Sequence, residues 1–322
     1  MSDLKPIYSL SICGRLTLEL HSLNNEGGEG NQTITRTVAV VDTVGNVHKV
    51  NAISGDMFKH IQAEHFYLLA RHHALPLCAG CRTFRAERIL ADEEFMSNLP
   101  DTDAETINRL LERCALEDVE GTLIAFRREQ GPRNSESRSI PRKSVAEFSW
   151  VVGLPDKVRT ESYFHVRYAK ERAGDDVSQP IFHRPASSGI YASVANFELA
   201  RIGFNDISQT YPLDESQRLQ RHRAFLMSVL NTYIEPAGAM RNTQNPHILN
   251  FEGVVTASYR VLPAPTISPL ADDYKAQIQA IAAALDKEGI IVRPFANSAE
   301  FVSIMQSIAS ETKPFRLFDR GA

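Results

Sequence analysis

The stretch LSICGRLTLELH, residues 10–21, decides the fold of this chain. Its side chains alternate between two groups: one holds Leu10, Ile12, Gly14, Leu16, Leu18 and Leu20, and the other holds Ser11, Cys13, Arg15, Thr17, Glu19 and His21. Because successive side chains of a β-strand point to opposite faces, this period of two predicts a half-buried strand whose leucines face the core. A polar turn at 24–31 follows, and residues 33–50 then predict a hairpin with Gly45-Asn46 at its tip.

Two long helices are marked by their caps. Ser54 precedes apolar residues at helical spacing as far as His72, and Asp214 opens a second helix that reaches Ile234. Strands are predicted over 145–154, 163–168, 189–199, 248–259 and 289–293, and further helices over 103–114, 272–286 and 298–308. Strand, helix, strands, helix and strand in this order predict an α+β fold of the ferredoxin-like or RNA-recognition-motif kind, with the extra length inserted between core elements.

Composition indicates a soluble globular protein. Of the 322 residues, 43% are hydrophobic and 23% charged, and no run approaches the ~18 apolar residues that span a bilayer. The N-terminus lacks the features of a secretory signal, so we expect a cytoplasmic protein without a membrane partner. The net charge of -4 argues against a polyanionic partner. Arginine nevertheless outnumbers lysine, and a basic segment over 127–143 predicts either a nucleic-acid contact or a solvated loop.

Three parts of the chain combine residue types that contact nucleic acids. The helix start at 51–60 offers free backbone amides with Lys59 one turn later, which favours a phosphate, although a serine N-cap needs no ligand. In the loop 236–246, glycine lets the backbone approach a ligand, although the same glycine is suited to end a helix. The segments 164–168 and 180–184 interleave aromatic rings with His and Arg, a mixture that stacks on bases, although a strand with its aromatic residues in a core gives the same pattern.

Cys78-Ala79-Gly80-Cys81 is a pair of cysteines at the spacing of zinc ligands. Two such thiolates form half of a tetrahedral site, and Cys114 and His73 are candidates for the other half. Because this second half is not a regularly spaced pair, buried free thiols remain the alternative. Four cysteines are too few for a disulfide framework in a chain of this length, so structural zinc is the cofactor to test.

Motifs of catalysis are absent from the sequence. It contains no HExxH pair, phosphate-binding loop, nucleophile elbow or close carboxylate cluster. General acid–base catalysis needs a base that is held by an orienting partner, and no spacing between the 10 histidines and the carboxylates enforces one. We therefore expect a protein that is not an enzyme.

A set of individually weak motifs agrees in order and spacing with one family. These motifs are residues 10–25, 30–31, Arg36, 51–62, 114–126, 142–148, 164–168, 188–197 and 238–246. Together they resemble the DevR-type (Cas-seven) backbone subunit of type I CRISPR Cascade complexes over most of the chain. The resemblance implies an RNA-recognition-motif palm with a helical fingers insertion and a β-hairpin thumb. It divides the chain into palm (1–75 and 198–322), fingers (76–135), palm and web (136–162) and thumb (163–197).

The same resemblance implies an RNA-binding site spread over palm, web and thumb. Its residues would be Arg36, Ser54, Gly55, Lys59, Gln62, Arg142, Lys143, His165, Arg167, Phe182, His183, Gly238, Arg241 and Asn245. The thumb tip, 171–176, is acidic, so we expect it to contact protein rather than phosphate. Cysteines such as those of the zinc candidate occur in part of the family, which keeps zinc open.

The function implied by the resemblance is that of a non-catalytic scaffold. Several copies would stack along one CRISPR RNA beside Cas-five-type and large-subunit proteins, and each thumb would flip out a nucleotide so that the flanking guide pairs with target DNA. An endoribonuclease that processes CRISPR transcripts, with His165 or His247 in its site, is the alternative. A DNA-binding autoregulator is a third hypothesis, with the helix that carries Arg218, Arg221 and Arg223 as recognition helix.

Overall fold

The computed structural model describes residues 4–125, 139–166 and 181–318, which contain fourteen strands and seven α-helices. The strands are β1 (Lys5–Ile7), β2 (Ser9–His21), β3 (Asn25–Glu29), β4 (Gln32–Thr35), β5 (Thr37–Val41), β6 (Val47–Ile53), β7 (Thr122–Ala125), β8 (Ser139–Arg142), β9 (Ala146–Phe148), β10 (Val151–Val166), β11 (Ile181–Phe197), β12 (His247–Ser258), β13 (Ile290–Phe295) and β14 (Thr312–Pro314). The helices are α1 (Gly55–His72), α2 (Glu93–Ser97), α3 (Asp103–Arg113), α4 (Ala115–Glu120), α5 (Glu215–Ile234), α6 (Tyr274–Asp286) and α7 (Ser298–Glu311). Among these helices, none is long and apolar enough to cross a membrane. Most of the predicted basic segment, Arg167 and the acidic thumb tip lie outside the described residues.

One large, mainly antiparallel sheet organises the molecule. Its strands follow the order β13-β12-β2-β11-β10-β6-β5, and β9 also pairs with β11. The hairpin formed by β3 and β4 is attached to β11 through a parallel bridge, His183 opposite Gln32. Separately, β1 pairs with β14 and β7 pairs with β8. The predicted α+β class is confirmed as a mixed fold in which helices pack against a large antiparallel sheet.

Strand β2 lies near the centre of this sheet and is covered on both faces. Its leucine face packs against α1, α5 and α7, while Cys13 on the opposite face packs against Tyr274 of α6. The prediction of a strand buried on one face is therefore wrong for its first half, because α6 covers the side that alternation assigned to solvent. At Leu20 the backbone takes a φ of 53° and the register against β11 shifts nearby, so Leu20 is exposed and His21 is buried.

Two glycines face each other where β2 pairs with β12. Gly14 lies opposite Gly253, and a Cβ built on Gly14 would lie 2.6 Å from the Phe251 ring. That ring stacks on Tyr233 of α5 with centroids 4.6 Å apart, and Phe301 of α7 meets it edge-on at 4.9 Å. The missing side chain thus makes room for the aromatic cluster that fastens α5 and α7 to the sheet.

The two long helices begin where their caps predict. Ahead of α1, the Ser54 hydroxyl accepts a hydrogen bond from the Met57 amide at 3.2 Å. Ahead of α5, Asp214 and Gln217 form a reciprocal capping box. Both helices pack on the leucine face of β2. The elements β2, α1, β10, β11, α5 and β12 occur in this order along the chain. The four strands among them are neighbours within the sheet, in the order β12-β2-β11-β10.

His222 is a fully buried histidine that gives the fold a defined response to acid. It lies in α5, and its Nε2 is 2.9 Å from Thr312 Oγ1 of β14. Burial, with Arg218 and Arg223 nearby, lowers the pKa of His222 from 6.5 to about 3. The folded state therefore favours the neutral ring. This contribution to stability is present above pH 6.5 and is lost as the pH falls toward 3.

We expect the wild type to lose about 3 kcal/mol more free energy of unfolding than the His222→Gln variant between pH 7 and pH 4.5. Glutamine keeps a hydrogen-bonding group near Thr312 but does not titrate. Urea unfolding at the two pH values measures the difference, and His72→Gln, at an exposed position of α1, is the control. Equal losses in the wild type and His222→Gln would show that this histidine does not set the acid response.

Candidate functional site

The outer part of the β10–β11 hairpin carries aromatic, histidine and arginine side chains outside the core. His165 lies opposite Phe182 in the strand register, and their rings stack with centroids 5.6 Å apart and planes 13° apart. The Arg184 guanidinium lies 4.8 Å over the same Phe182 ring. On the other face of the hairpin, Phe164 meets His183 edge-on at 5.8 Å, and Phe164 is 59% exposed. Aromatic rings that remain accessible on a projecting hairpin are suited to stack on a ligand.

Two other segments contact this part of the hairpin. From the loop 236–246, Thr243 Oγ1 accepts a hydrogen bond from Arg184 at 3.4 Å, and Gln244 Nε2 donates to the Pro185 carbonyl at 2.8 Å. From the turn between β3 and β4, Asn31 Nδ2 donates to the Ile181 carbonyl at 3.1 Å. The structure therefore brings together hairpin and loop residues that are far apart in the sequence. We call His165, Phe182, His183, Arg184 and loop residues 241–245 the thumb-base surface.

The residues predicted in the loop differ in what they do. A Cβ on Gly238 would lie 2.8 Å from the Leu23 carbonyl oxygen, so the glycine lets the loop pack on the end of β2. Arg241 is half-exposed and pairs with Glu64 of α1 at 3.2 Å. Asn245 is exposed. Arg241 and Asn245 are thus accessible to a ligand. Close packing against Leu23 accounts for the glycine at position 238 without any ligand.

The start of α1 is already occupied by protein groups. The buried Ser54 hydroxyl caps the Met57 amide, and the Ser54 backbone N–H donates to Asn24 Oδ1 at 2.7 Å. The predicted phosphate contact of Ser54 is wrong, because both of these groups are used inside the protein. At Gly55, a Cβ would lie 2.4 Å from the Phe148 carbonyl oxygen, so close packing accounts for this glycine. A contact of the Gly55 backbone with RNA stays a prediction.

Lys59 lines a cleft of about 270 Å³ between α1 and the segment 76–125, the described part of the predicted fingers, which we call the fingers segment. Its charged or titratable neighbours there are Asp56, His60, Arg85, Arg88 and Glu120. Burial raises the pKa of Glu120 to about 7, although Lys59 and Arg88 oppose that shift. The cleft gathers several basic side chains, of which only Lys59 was predicted. Arg85 and Arg88 were missed because nothing in their local sequence places them beside α1.

Two predicted RNA contacts are wrong because the side chains are buried. Gln62 is fully buried, and its Nε2 donates to Ser228 Oγ at 2.8 Å, which joins α1 to α5. The Arg142 guanidinium is also buried. It donates to Asp118 Oδ1 at 2.8 Å and to the Phe204 and Arg201 carbonyls at 2.8 Å each. Both side chains hold the protein together and have no free donors at the surface.

Two further predicted cations, exposed Lys143 and partly buried Arg36, are paired with carboxylates. Lys143 Nζ lies 2.8 Å from Glu198 and 3.2 Å from Glu147. Arg36 pairs with Glu26 at 3.2 Å, and its guanidinium lies 5.5 Å from the ring centre of Trp150. Trp150 is the only tryptophan and is 44% exposed. Sequence analysis missed it, although a single tryptophan beside a strand is a signal for a stacking platform.

The predicted cysteines come together, but His73 does not join them. Cys78, Cys81, Cys114 and Glu117 each place a potential ligand atom within 4.8 Å of the others, and all four are buried. His73 is exposed and its ring meets that of His72 edge-on, with centroids 4.9 Å apart. The predicted fourth ligand is therefore wrong, and Glu117 occupies that position.

The proposed recognition helix is not available to DNA. Arg218 and Arg221 of α5 are buried, and Arg221 Nη1 pairs with Asp118 Oδ2 at 2.9 Å. Arg223 alone of the three is exposed. The third hypothesis is therefore wrong in its choice of helix, since two of its three arginines face the core.

Comparison with known protein families finds a match over most of the chain. A model of the family described as CRISPR-associated negative auto-regulator DevR/Csa2 matches residues 12–279. The chain belongs to the DevR/Csa2 family. The resemblance inferred from its motifs is thereby confirmed. No curated protein sequence matches this chain significantly.

Three solved structures are also similar to this DevR/Csa2 family chain. A chain of a CRISPR RNA-guided surveillance complex has a TM-score of 0.48 and 13% identity, covering 94% of this chain and 98% of that one. A chain of a pre-nicking CRISPR RNA-guided surveillance complex has a TM-score of 0.47 and 12% identity, covering 86% and 88%. Thermofilum pendens Csc2 has a TM-score of 0.40 and 12% identity, covering 95% and 86%.

We expect Asp118→Asn to lower the free energy of unfolding by about 3–5 kcal/mol, because it leaves the buried Arg221 guanidinium without a counter-charge and the buried Arg142 guanidinium with only the partly exposed Asp206. Asp206→Asn is the matched control: its carboxylate is 3.0 Å from Arg142 Nη1 but 35% exposed, and we expect about 1 kcal/mol or less. Urea unfolding of both variants at pH 7 measures the two losses. Equal losses would mean that burial of the Asp118 pair does not matter.

Proposed function

We propose that this protein is a non-catalytic backbone subunit that binds the single-stranded guide RNA of a CRISPR Cascade surveillance complex. One observation carries the proposal beyond family membership: the His165 ring, the Phe182 ring and the Arg184 guanidinium form a stack outside the core, beside a loop that carries Arg241. Aromatic rings stack on unpaired bases whatever their sequence, and arginine adds a charge for the phosphates.

The core topology supports an RNA-recognition-motif palm. The elements β2, α1, β10, β11, α5 and β12 follow the β-α-β-β-α-β order of ferredoxin-like folds. Their four strands are adjacent and antiparallel in the sheet, and both helices pack on the leucine face of β2. The hairpin of β10 and β11 extends beyond this core as a thumb, and the fingers segment enters between α1 and β9.

The arrangement favours single-stranded RNA over a duplex. A ring or guanidinium can stack on a base only where that base is not stacked between its neighbours, as in a single strand. The thumb-base surface has stacking groups on the hairpin and a partly accessible cation, Arg241, on the neighbouring loop. We propose that the bases stack on the hairpin while the loop follows the phosphates.

The partners follow from a guide that is longer than one thumb-base surface. We propose that several copies of this chain bind along one CRISPR RNA, with Cas-five-type and large-subunit proteins at their sides. Each thumb would displace a nucleotide from the guide, and the intervening bases would pair with target DNA. The acidic stretch 171–176 would then meet a neighbouring protein subunit rather than RNA.

The endoribonuclease alternative makes a different prediction for a CRISPR transcript. His165 stacks on Phe182, and His247 lies at the start of β12 opposite Glu19. Neither histidine belongs to a sequence motif that marks a catalytic pair. We expect a repeat-containing transcript incubated with the purified protein, without metal, to keep its length and to be protected from an added nuclease. Metal-independent cutting that disappears in His165→Ala or His247→Ala would replace the scaffold with the nuclease.

We expect Phe182→Ala and Arg241→Ala to weaken RNA binding in distinguishable ways. Loss of the ring removes stacking worth about 1–3 kcal/mol and leaves the salt dependence unchanged. Loss of Arg241 removes one phosphate contact and reduces the slope of log affinity against log salt by about 0.7, and Lys59→Ala acts similarly if RNA reaches the cleft. Fluorescence anisotropy with a single-stranded RNA of about 30 nucleotides, over a salt series, measures both quantities.

Lys287→Ala is the matched control for these variants. Lys287 is an exposed cation at the end of α6, which packs on the opposite face of the sheet from α1 and its Arg241 contact. Its removal changes the net charge equally but touches no part of the thumb-base surface. Unchanged affinity in Phe182→Ala, or equal weakening in Lys287→Ala and Arg241→Ala, would remove this surface from the RNA path.

A further inference from the structure

We propose that Cys78, Cys81, Cys114 and Glu117 together bind one structural zinc ion. This inference concerns the fingers segment and does not depend on RNA binding. The four side chains are buried, and their potential ligand atoms all lie within 4.8 Å of one another. Within the described residues, this is also the only group of three or more His, Cys, Asp or Glu side chains that meets this geometry.

The distances suit a tetrahedral ion. Zinc lies about 2.3 Å from thiolate sulfur and about 2.0–2.2 Å from carboxylate oxygen, so sulfur ligands of one ion lie roughly 3.8 Å apart. Cys81 Sγ already lies 3.3 Å from Glu117 Oε1. The largest separation in the group exceeds the required spacing by about 1 Å, a difference that side-chain rotation removes.

The backbone brings the ligands together from two segments. Cys78 and Cys81 lie in the turn after α1, where the Arg82 N–H donates to the Cys78 carbonyl at 3.0 Å. Gly80 is required inside this turn, since a Cβ there would lie 2.0 Å from the Arg88 carbonyl oxygen. Cys114 immediately precedes α4, and Glu117 lies within its first turn. The spacing of Cys78 and Cys81 is thus fixed by a tight turn that faces the start of α4.

The buried Glu117 carboxylate has one oxygen that accepts no hydrogen bond and is suited to bind a cation. Its side chain is fully buried next to three thiols. Oε1 accepts a hydrogen bond from the Ile89 amide at 2.9 Å, whereas Oε2 accepts none and has only the charge of Arg88 at 3.2 Å. Burying a carboxylate costs free energy unless the carboxylate is paired and hydrogen-bonded. Three neighbouring sulfurs increase this cost when they ionise, because they add negative charge beside it. A divalent cation offsets these negative charges.

The ligand set selects zinc among the common metals. Thiolates are soft ligands that calcium and magnesium do not accept, and an iron–sulfur cluster is normally held by four cysteines. Three thiolates and one carboxylate close all four positions of a tetrahedral zinc ion, which is the arrangement of structural rather than catalytic sites. The ion would join the turn after α1 to α4, and so tie the beginning of the fingers segment to its later part.

Metal analysis of the purified full-length chain tests the proposal. We expect close to one zinc per chain by mass spectrometry of the metal content after growth with added zinc, and a loss of at least tenfold in Cys78→Ser and Cys114→Ser. Cys13→Ser is the matched control, because Cys13 is an equally buried free thiol in β2, away from the cluster. Glu117→Gln should lower the zinc content, while Glu120→Gln, at a buried neighbouring carboxyl, should not.

Cobalt substitution of the wild type gives an answer even where a cysteine variant does not fold. After removal of zinc with a chelator, added Co²⁺ should produce a thiolate-to-cobalt absorption band, and added zinc should abolish it. Zinc should also protect three of the four thiols from alkylation. Wild type without stoichiometric zinc and without the cobalt band, a disulfide among these cysteines, or equal zinc loss in Cys13→Ser would each overturn the site.

Discussion

The Asp118 carboxylate is fully buried between two guanidinium groups, where α4, β8, α5 and the segment at Gly203 meet. Its oxygens pair with Arg142 at the end of β8 and Arg221 of α5, and both accept a hydrogen bond from the Gly203 amide at 3.0 Å. Buried charges of this kind are stable only when all of them are satisfied, since each loses its hydration. These pairings therefore hold α4 of the fingers segment against β8 and α5.

The two adjacent carboxylates of α4, Glu117 and Asp118, contact different parts of the molecule. Asp118 faces Arg142 and Arg221, while the preceding residue, Glu117, faces the three clustered cysteines. A shift of α4 that improved one contact would weaken the other. Leu116 and Glu120 of the same helix line the cleft beside Lys59, so the position of α4 also affects the shape of that cleft.

The sequence predicts those features that are set by neighbouring residues, and fails where distant ones decide. The caps at Ser54 and Asp214 locate α1 and α5 because a cap is a contact over three residues. Gln62 and Arg142 look like surface residues of a binding site, yet Ser228 and Asp118, remote in the chain, bury them. His73 is closer in sequence to Cys78 than Glu117 is, but the fold brings Glu117 to the cluster. The residue types that form the hairpin stack could be predicted from the sequence, but their contact with loop 236–246 could not.

The net negative charge of the chain is compatible with the proposed RNA binding because many of its arginines serve the fold and others remain accessible. Arg142, Arg218 and Arg221 are buried and serve the fold, so they add nothing to the charge that a ligand meets. Arg241 differs, because its pair with Glu64 is partly exposed. Exposed pairs are worth about 0–1 kcal/mol, so exchanging that carboxylate for a phosphate costs little, whereas extracting a buried arginine costs several times more. Net charge is therefore a poor guide to binding in this chain, and the accessible cations next to aromatic rings are the relevant quantity.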